Sequence, residues 1–144
     1  SAEQATIWTI GHSNRSKEAF LGLLQEHGIQ VLMDVRSFPT SKIAHFKREG
    51  TEHWLRESGV EYVWMGKELG GYRSGGYQRH MRTKLFKDGI KRLLEIAAKK
   101  RTCIMCMESN PRYCHRRFIS AHLKTRGVRV IHIVAPGQIS LLAF

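Results

Sequence analysis

The chain predicts one α/β domain, residues 1–144, built on a mostly parallel sheet of about five strands with helices on both faces. Short runs rich in β-branched residues alternate with segments of helical period, which is typical of βαβ units. The runs are apolar throughout, as expected of strands that are covered on both faces. A length of 144 residues and an apolar content of 42% fit a single core.

Five strands are predicted, at residues 6–10, 31–35, 61–64, 102–105 and 128–134. Between the first two, Ser16 is placed to cap a helix that Gly28 ends. Thr51 is predicted to cap a shorter helix and Asp88 a third one. The last main helix is predicted to begin near Pro111, because proline suits the first turn of a helix.

Two connections are long, residues 36–50 and residues 66–77. The second reads GKELGGYRSGGY, with five glycines among twelve residues, which favours either a mobile loop or a close backbone approach to a ligand. We expect Gly70 and Gly71 to close this segment over a site. A plain surface loop remains an alternative.

The chain is strongly basic, with 24 Lys and Arg against 12 Asp and Glu, a formal charge of +12. A field of this sign attracts polyanions, so the predicted partner is a nucleic acid or a phosphorylated small molecule. Surplus lysine that serves only solubility is the alternative. Nothing in the sequence specifies an oligomeric state.

Three closely spaced cysteines late in the chain favour free thiols and a reducing compartment, so we expect a cytoplasmic protein. The first residues lack the pattern of an export signal, and no apolar run approaches the ~20 residues that span a bilayer. No membrane association and no cofactor are predicted.

Ligands of open parallel sheets bind beyond the carboxyl ends of the strands. Nearly every chemically capable residue lies just after a predicted strand. This placement predicts one ligand site, formed by His12, Ser13 and Asn14 after the first strand, Asp34 and Arg36 after the second, and Cys106 and Glu108 after the fourth.

Four motifs occur in order along the chain: TIGHSN at 9–14, DVRSFP at 34–39, ELGG at 68–71 and CMESNPRYCHR at 106–116. Their combination resembles a prokaryotic family known as domain of unknown function 488. The resemblance covers almost the whole chain and implies a single α/β domain, but no reaction. The motif positions it marks are His12, Ser13, Asp34, Arg36, Ser37, Pro39, Gly70, Gly71, Cys106, Glu108, Cys114, His115 and Arg116.

The last motif permits several chemistries. A zinc set of Cys103, Cys106, Cys114 and His115 is disfavoured, because residues three apart on a strand point to opposite faces. The pattern Cys106-x5-Arg112 matches the loop of cysteine-based phosphatases, although it holds a glutamate and no glycine.

The preferred hypothesis pairs Asp34 and Glu108 as acid, base or nucleophile at a glycosidic or phosphoester bond, without a metal. Cys106 and His12 complete the predicted catalytic set. The anion-binding residues are expected to be Arg36, Ser13, Asn14, Arg116 and Arg112. Structural ion pairs of Asp34 with Arg36, and of Glu108 with Arg116 or Arg36, are the alternative.

Cys114 is predicted to lie in the first turn of the last helix, among Arg112, Arg116 and Arg117, a setting that lowers a thiol pKa and permits redox activity. Core packing as a small apolar side chain is the preferred interpretation. Basic residues also interleave with aromatic ones in both long connections, a combination that suits a strand of nucleic acid. Two function classes follow: a hydrolase or transferase acting on nucleic acid or nucleotide, and a non-catalytic nucleic-acid-binding module. The predicted surface comprises Lys42, Phe46, Lys47, Arg48, Tyr72, Arg73, Tyr77 and Arg79.

Overall fold

The computed structural model describes residues 5–141 as one six-stranded sheet with helices on both faces, so the predicted fold class is confirmed. Five strands are parallel, and a short sixth pairs antiparallel with the fifth at one edge; the sequence did not predict it. The spatial order is β3-β2-β4-β1-β5-β6. The strands are β1 Thr6–Gly11, β2 Val31–Asp34, β3 Glu61–Trp64, β4 Thr102–Cys106, β5 Arg129–Ala135 and β6 Gln138–Ser140.

Strand β4 lies at the centre of the sheet, between β2 and β1. Met105 is level with Asp34 on one side and with Ile10 on the other. Because the three strands are parallel, the turns that follow them leave the same edge of the sheet side by side. This register brings the chain after Asp34 next to the chain after Cys106.

The helices are α1 Lys17–Glu26, α2 Arg48–Glu57, α3 Gly66–Leu69, α4 Tyr77–His80, α5 Lys84–Ala97 and α6 Arg116–Thr125, with 3₁₀ turns at Ala44–Phe46 and Pro111–Tyr113. Apolar residues of α1 and α2 pack on one face of the sheet, whereas those of α3, α5 and α6 pack on the other. None of the helices within residues 5–141 is long and apolar enough to cross a membrane.

One predicted helix cap is confirmed and two are wrong. The Ser16 hydroxyl accepts a hydrogen bond from the Ala19 amide and caps α1. Thr51 lies inside α2, where its hydroxyl donates to a backbone carbonyl instead of capping. Asp88 lies inside α5, which begins earlier because Thr83 caps it.

The predicted start of the last helix is also wrong. Pro111 opens a single 3₁₀ turn, which Asn110 caps by accepting from the Arg112 amide. The α-helix α6 begins only at Arg116. Cys114 and His115 therefore lie immediately before α6, where the unpaired amides of a helix start carry partial positive charge.

Candidate active site

A cleft of about 750 Å³ opens at the carboxyl ends of β2 and β4. The turns that follow these two strands meet there, and the glycine-rich segment before α4 forms the opposite wall. The residues that line it are Arg36, Phe38, Thr40, Gly71, Tyr72, Arg73, Gly76, Tyr77, Cys106, Met107, Glu108, Tyr113, Cys114 and His115.

Asp34 does not line this cleft. Its side chain is fully buried, and it accepts hydrogen bonds from Arg36 Nε at 2.8 Å and Nη2 at 2.7 Å. The Tyr62 hydroxyl donates to the same carboxylate at 2.5 Å, and burial together with the Asp34 charge raises the pKa of Tyr62. This geometry favours the structural ion pair with Arg36 over an acid–base role for Asp34.

His12 lies behind Arg36 and is also buried. Its ring stacks on Phe46 with centroids 4.4 Å apart, and Nδ1 donates to the Ser13 carbonyl at 2.8 Å. Arg36 Nη1 faces His12 Nε2 at 3.4 Å and donates to the Phe46 carbonyl at 2.6 Å. Burial lowers the pKa of His12 to about 4, so the ring is neutral at neutral pH. His12 is therefore a buried neighbour of Arg36 and does not itself line the cleft.

The two residues after His12 lie beside the turn that follows β4. The Ser13 amide donates to the Met107 carbonyl at 2.8 Å, and Asn14 is exposed. A Cβ atom on Gly11 would overlap the Glu108 carbonyl, so only glycine permits this approach of the two turns. Neither Ser13 nor Asn14 lines the cleft.

Arg116 is a fully buried cation at the floor of the site. Its Nε donates to Cys106 Sγ at 3.0 Å, Nη1 to Thr9 Oγ1 at 2.8 Å and Nη2 to the Glu108 carbonyl at 2.6 Å. No ion pair among residues 5–141 includes Arg116. A buried guanidinium without a carboxylate requires another anion close by, and the adjacent thiols are the groups able to supply it.

Cys106 and Cys114 line the same cleft, and their pKa values shift in opposite directions. The interaction with Cys106, together with His115 and Arg116, lowers the pKa of Cys114 to about 4 in spite of burial. The Arg116 amide also donates to Cys114 Sγ at 3.4 Å. Burial and the neighbouring sulfur raise the pKa of Cys106. Cys114 is therefore the more acidic of the two thiols.

His115 stands next to this thiolate in a fixed orientation. Its Nε2 donates to the Val35 carbonyl at 2.8 Å, so Nδ1 is the nitrogen that faces Cys114 Sγ, at 3.6 Å. A sulfur beside an imidazole that a third group orients is the arrangement of cysteine nucleophiles and their bases. The carbonyl that orients His115 comes from the turn after β2.

The glycine pair makes close contacts. The Ser37 hydroxyl donates to the Gly71 carbonyl at 2.6 Å, and a Cβ on Gly70 would overlap that hydroxyl. A Cβ on Gly71 would lie 3.3 Å from His115 Nδ1. The two glycines therefore lie close to protein groups of the turns after β2 and before α6. The approach to a ligand and the closure over a site stay predictions.

The structure does not assemble the Cys106-x5-Arg112 loop. Arg112 is exposed, Cys106 is buried, and the guanidinium that contacts Cys106 belongs to Arg116. Within residues 5–141, no group of three or more His, Cys, Asp or Glu side chains is placed to hold a metal ion. Cys103 packs on the sheet face that α1 and α2 cover, whereas Cys106 packs on the other, as strand alternation requires.

Some residues of the predicted nucleic-acid surface are exposed, and others are buried or bonded within the protein. Phe46, expected to be available for stacking, is fully buried against Phe20 and Trp54, because the apolar face of α2 covers it. Tyr77 is half-buried and donates to the Leu69 carbonyl. Arg73 donates to three carbonyls of its own segment. Lys42, Lys47, Tyr72 and Arg79 are exposed, and Arg48 lies over the Trp64 ring.

Three aromatic residues lie exposed at the rim of the cleft; Tyr72 was predicted as part of the nucleic-acid surface, whereas Phe38 and Tyr113 were not predicted to be functional. Phe38 is 67% exposed, Tyr72 89% and Tyr113 71%, and the rings of Phe38 and Tyr72 lie 5.9 Å apart. Apolar side chains left in solvent around a cleft are typical of binding surfaces. The position of Phe38 and Tyr113 inside the DVRSFP and CMESNPRYCHR motifs was the signal that could have identified them.

The comparison with protein families gives one match. A family model described as domain of unknown function DUF488 matches residues 16–123, a span that contains both turns of the cleft and both of its cysteines. The search of curated proteins found no match, and the search of solved structures found none.

Proposed function

The chain belongs to the DUF488 family, and since that description states no reaction, we propose a function from the chemistry of the cleft. The protein is a thiol-dependent hydrolase in which the Cys114 thiolate attacks a phosphoester of a nucleotide or nucleic acid. The observation that carries this proposal is the buried cation Arg116, which donates to Cys106 Sγ and forms no ion pair with a carboxylate among residues 5–141. A thiolate at the mouth of a cleft is a nucleophile at neutral pH.

The proposed reaction has two steps. In the first, Cys114 Sγ forms a bond to phosphorus while the bond to the leaving oxygen breaks, and a water molecule supplies the proton that this oxygen takes, while His115 holds its place beside the sulfur through its bond to the Val35 carbonyl. In the second, water attacks phosphorus, the sulfur–phosphorus bond breaks and the thiolate returns. Glu108 lines the same cleft and is exposed, so it is the carboxylate available to take the proton of that water.

The substrate class follows from the rim and the charge. Exposed Phe38, Tyr72 and Tyr113 offer flat surfaces on which bases stack, and the formal charge of +12 attracts phosphates. Exposed Arg112 and Arg117 flank Tyr113 and Cys114 in the chain and add cations at this edge. We place the protein in a reducing compartment such as the cytoplasm, because the reaction needs a free thiol.

The second candidate is a non-catalytic nucleic-acid-binding module. The same exposed rim favours it, because stacking and phosphate contacts require no reactive thiol. In that case Cys114 only neutralises Arg116. The two candidates predict different behaviour of a Cys114→Ser variant towards nucleic acid.

A chemical test of the nucleophile uses alkylation by iodoacetamide. Wild type is expected to react at Cys114 at a rate that stays constant from about pH 5 to about pH 9, since the thiolate is already formed. Cys103→Ala, which removes a buried thiol on the other sheet face, serves as matched control and should react like wild type. A rate that climbs tenfold per pH unit up to about pH 8.5 would show an ordinary thiol and contradict the proposal.

Turnover is tested with fluorescent mixed-sequence DNA and RNA oligonucleotides and with a mixture of nucleotides. The proposal expects wild type to release cleaved product or phosphate, and Cys114→Ser to bind the same probe without releasing either. Binding by both proteins with no product from any probe would favour the binding module instead.

A further inference from the structure

We propose that Cys106 and Cys114 form a redox couple, in which Cys114 attacks a disulfide substrate and Cys106 resolves the mixed disulfide. This activity shares the Cys114 nucleophile with the proposed function but requires neither a phosphoester nor a nucleic acid. It follows from the position of the two sulfurs in a common cleft, one open to the substrate and one behind it.

The two thiols have the unequal environments that such a couple needs. Cys114 is partly exposed and lies just before α6, whereas Cys106 is 2% exposed at the end of β4. Both sulfurs contact the same residue: Arg116 donates to Cys106 Sγ from its guanidinium at 3.0 Å and to Cys114 Sγ from its backbone amide at 3.4 Å, so the two thiols lie near each other. Cys103 takes no part, because it faces the opposite side of the sheet.

The electrons and protons balance within the couple and its substrate. The Cys114 thiolate attacks one sulfur of a disulfide R–S–S–R, the substrate bond breaks, and one thiolate RS⁻ leaves. The Cys106 sulfur then attacks Cys114 Sγ, a second sulfur leaves with the Cys106 proton as RSH, and the protein disulfide remains. Two electrons have passed from the protein sulfurs to the substrate.

Arg116 makes this couple oxidising. In the reduced protein, the buried guanidinium donates to Cys106 Sγ and lies beside a thiol pair that can hold a negative charge; in the disulfide form, both sulfurs are neutral and this compensation is lost. A protein whose reduced form is stabilised in this way has a readily reduced disulfide. The dithiol is therefore expected to be a weak reductant that only a large excess of disulfide substrate keeps oxidised, and a reducing compartment returns the protein disulfide to the dithiol.

The test incubates the full chain with a large excess of oxidised glutathione, free of reduced glutathione, and reads intact mass and thiol content. Wild type is expected to lose two of its three thiols and two hydrogen atoms of mass, with peptides containing Cys106 and Cys114 linked, and dithiothreitol should reverse the change. Cys106→Ser should instead keep one glutathionyl group on Cys114, because the resolving thiol is missing. Cys103→Ala, the matched control, should form the same disulfide as wild type.

A stable glutathionyl adduct on wild type, no loss of thiols, or a link that involves Cys103 would each overturn the redox couple. These outcomes leave the phosphoester proposal standing, because alkylation and oligonucleotide turnover are measured on the reduced protein. Conversely, formation of the disulfide with no product from any phosphoester probe would support the redox couple and refute the hydrolase.

Discussion

Replacing Asp34 by asparagine tests whether this carboxylate is structural or catalytic. Asp34 accepts two side-chain bonds from Arg36, at 2.8 and 2.7 Å, and one from Tyr62. Both members of the ion pair are buried, with side chains 6% and 0% exposed. Removing one partner of such a pair costs about 3–5 kcal/mol, because the other charge stays buried without compensation. Asparagine keeps the shape of the aspartate side chain, so this cost reflects the lost charge.

The assay is urea unfolding followed by circular dichroism. With a slope of about 2 kcal/mol per molar urea, the expected loss lowers the midpoint by about 2 M. Glu108→Gln is the matched control, since Glu108 is exposed, and we expect a change within about 0.5 kcal/mol.

The double variant Asp34→Leu, Arg36→Met separates lost charge from lost packing. It should recover part of the stability lost in Asp34→Asn, because no buried charge then remains unpaired. A loss below about 1 kcal/mol in Asp34→Asn itself would refute the structural role and return Asp34 to the catalytic candidates.

Three further outcomes are expected. Gly11→Ala should lower the free energy of unfolding in urea by about 2 kcal/mol or more, because its Cβ overlaps the turn after β4. Gly22 lies in open space on α1, and Gly22→Ala should raise the free energy of unfolding by up to about 1 kcal/mol. Equal effects of the two substitutions would contradict the close approach at Gly11. Burial lowers the pKa of both His12 and His132 to about 4. Between about pH 6.5 and pH 4, the unfolded chain therefore binds protons that the folded chain does not. As the pH falls through this range, the free energy of unfolding should decrease by about 3 kcal/mol per histidine. The Cys114 thiolate acts in the same direction between about pH 9 and 4, and a urea midpoint that is constant from pH 7 to 4.5 would contradict all three assignments. The affinity for a mixed-sequence oligonucleotide should fall steeply with salt, and an affinity insensitive to ionic strength would argue against a polyanion partner.

Local sequence features predicted the elements of the fold well. The apolar runs predicted all five parallel strands within one residue at each end, because a buried strand needs an uninterrupted apolar run wherever it lies in the sheet. The caps failed where two candidates compete within a few residues: Thr83 outcompetes Asp88, and α2 begins ahead of Thr51. Pattern alone does not distinguish such neighbours, since the preference of either for a helix start is small.

What the sequence by itself determined is the kind of site: polar, cysteine-bearing turns at strand ends, glycines beside them and an excess of positive charge. The tertiary structure decided which residues act. Strand order placed β4 beside β2, buried Asp34 with Arg36 and Tyr62, and chose Arg116 over Arg112 as the cation beside the cysteines. These outcomes depend on contacts between residues far apart in the chain. Burial and charge balance are properties of those contacts, and no local pattern encodes them.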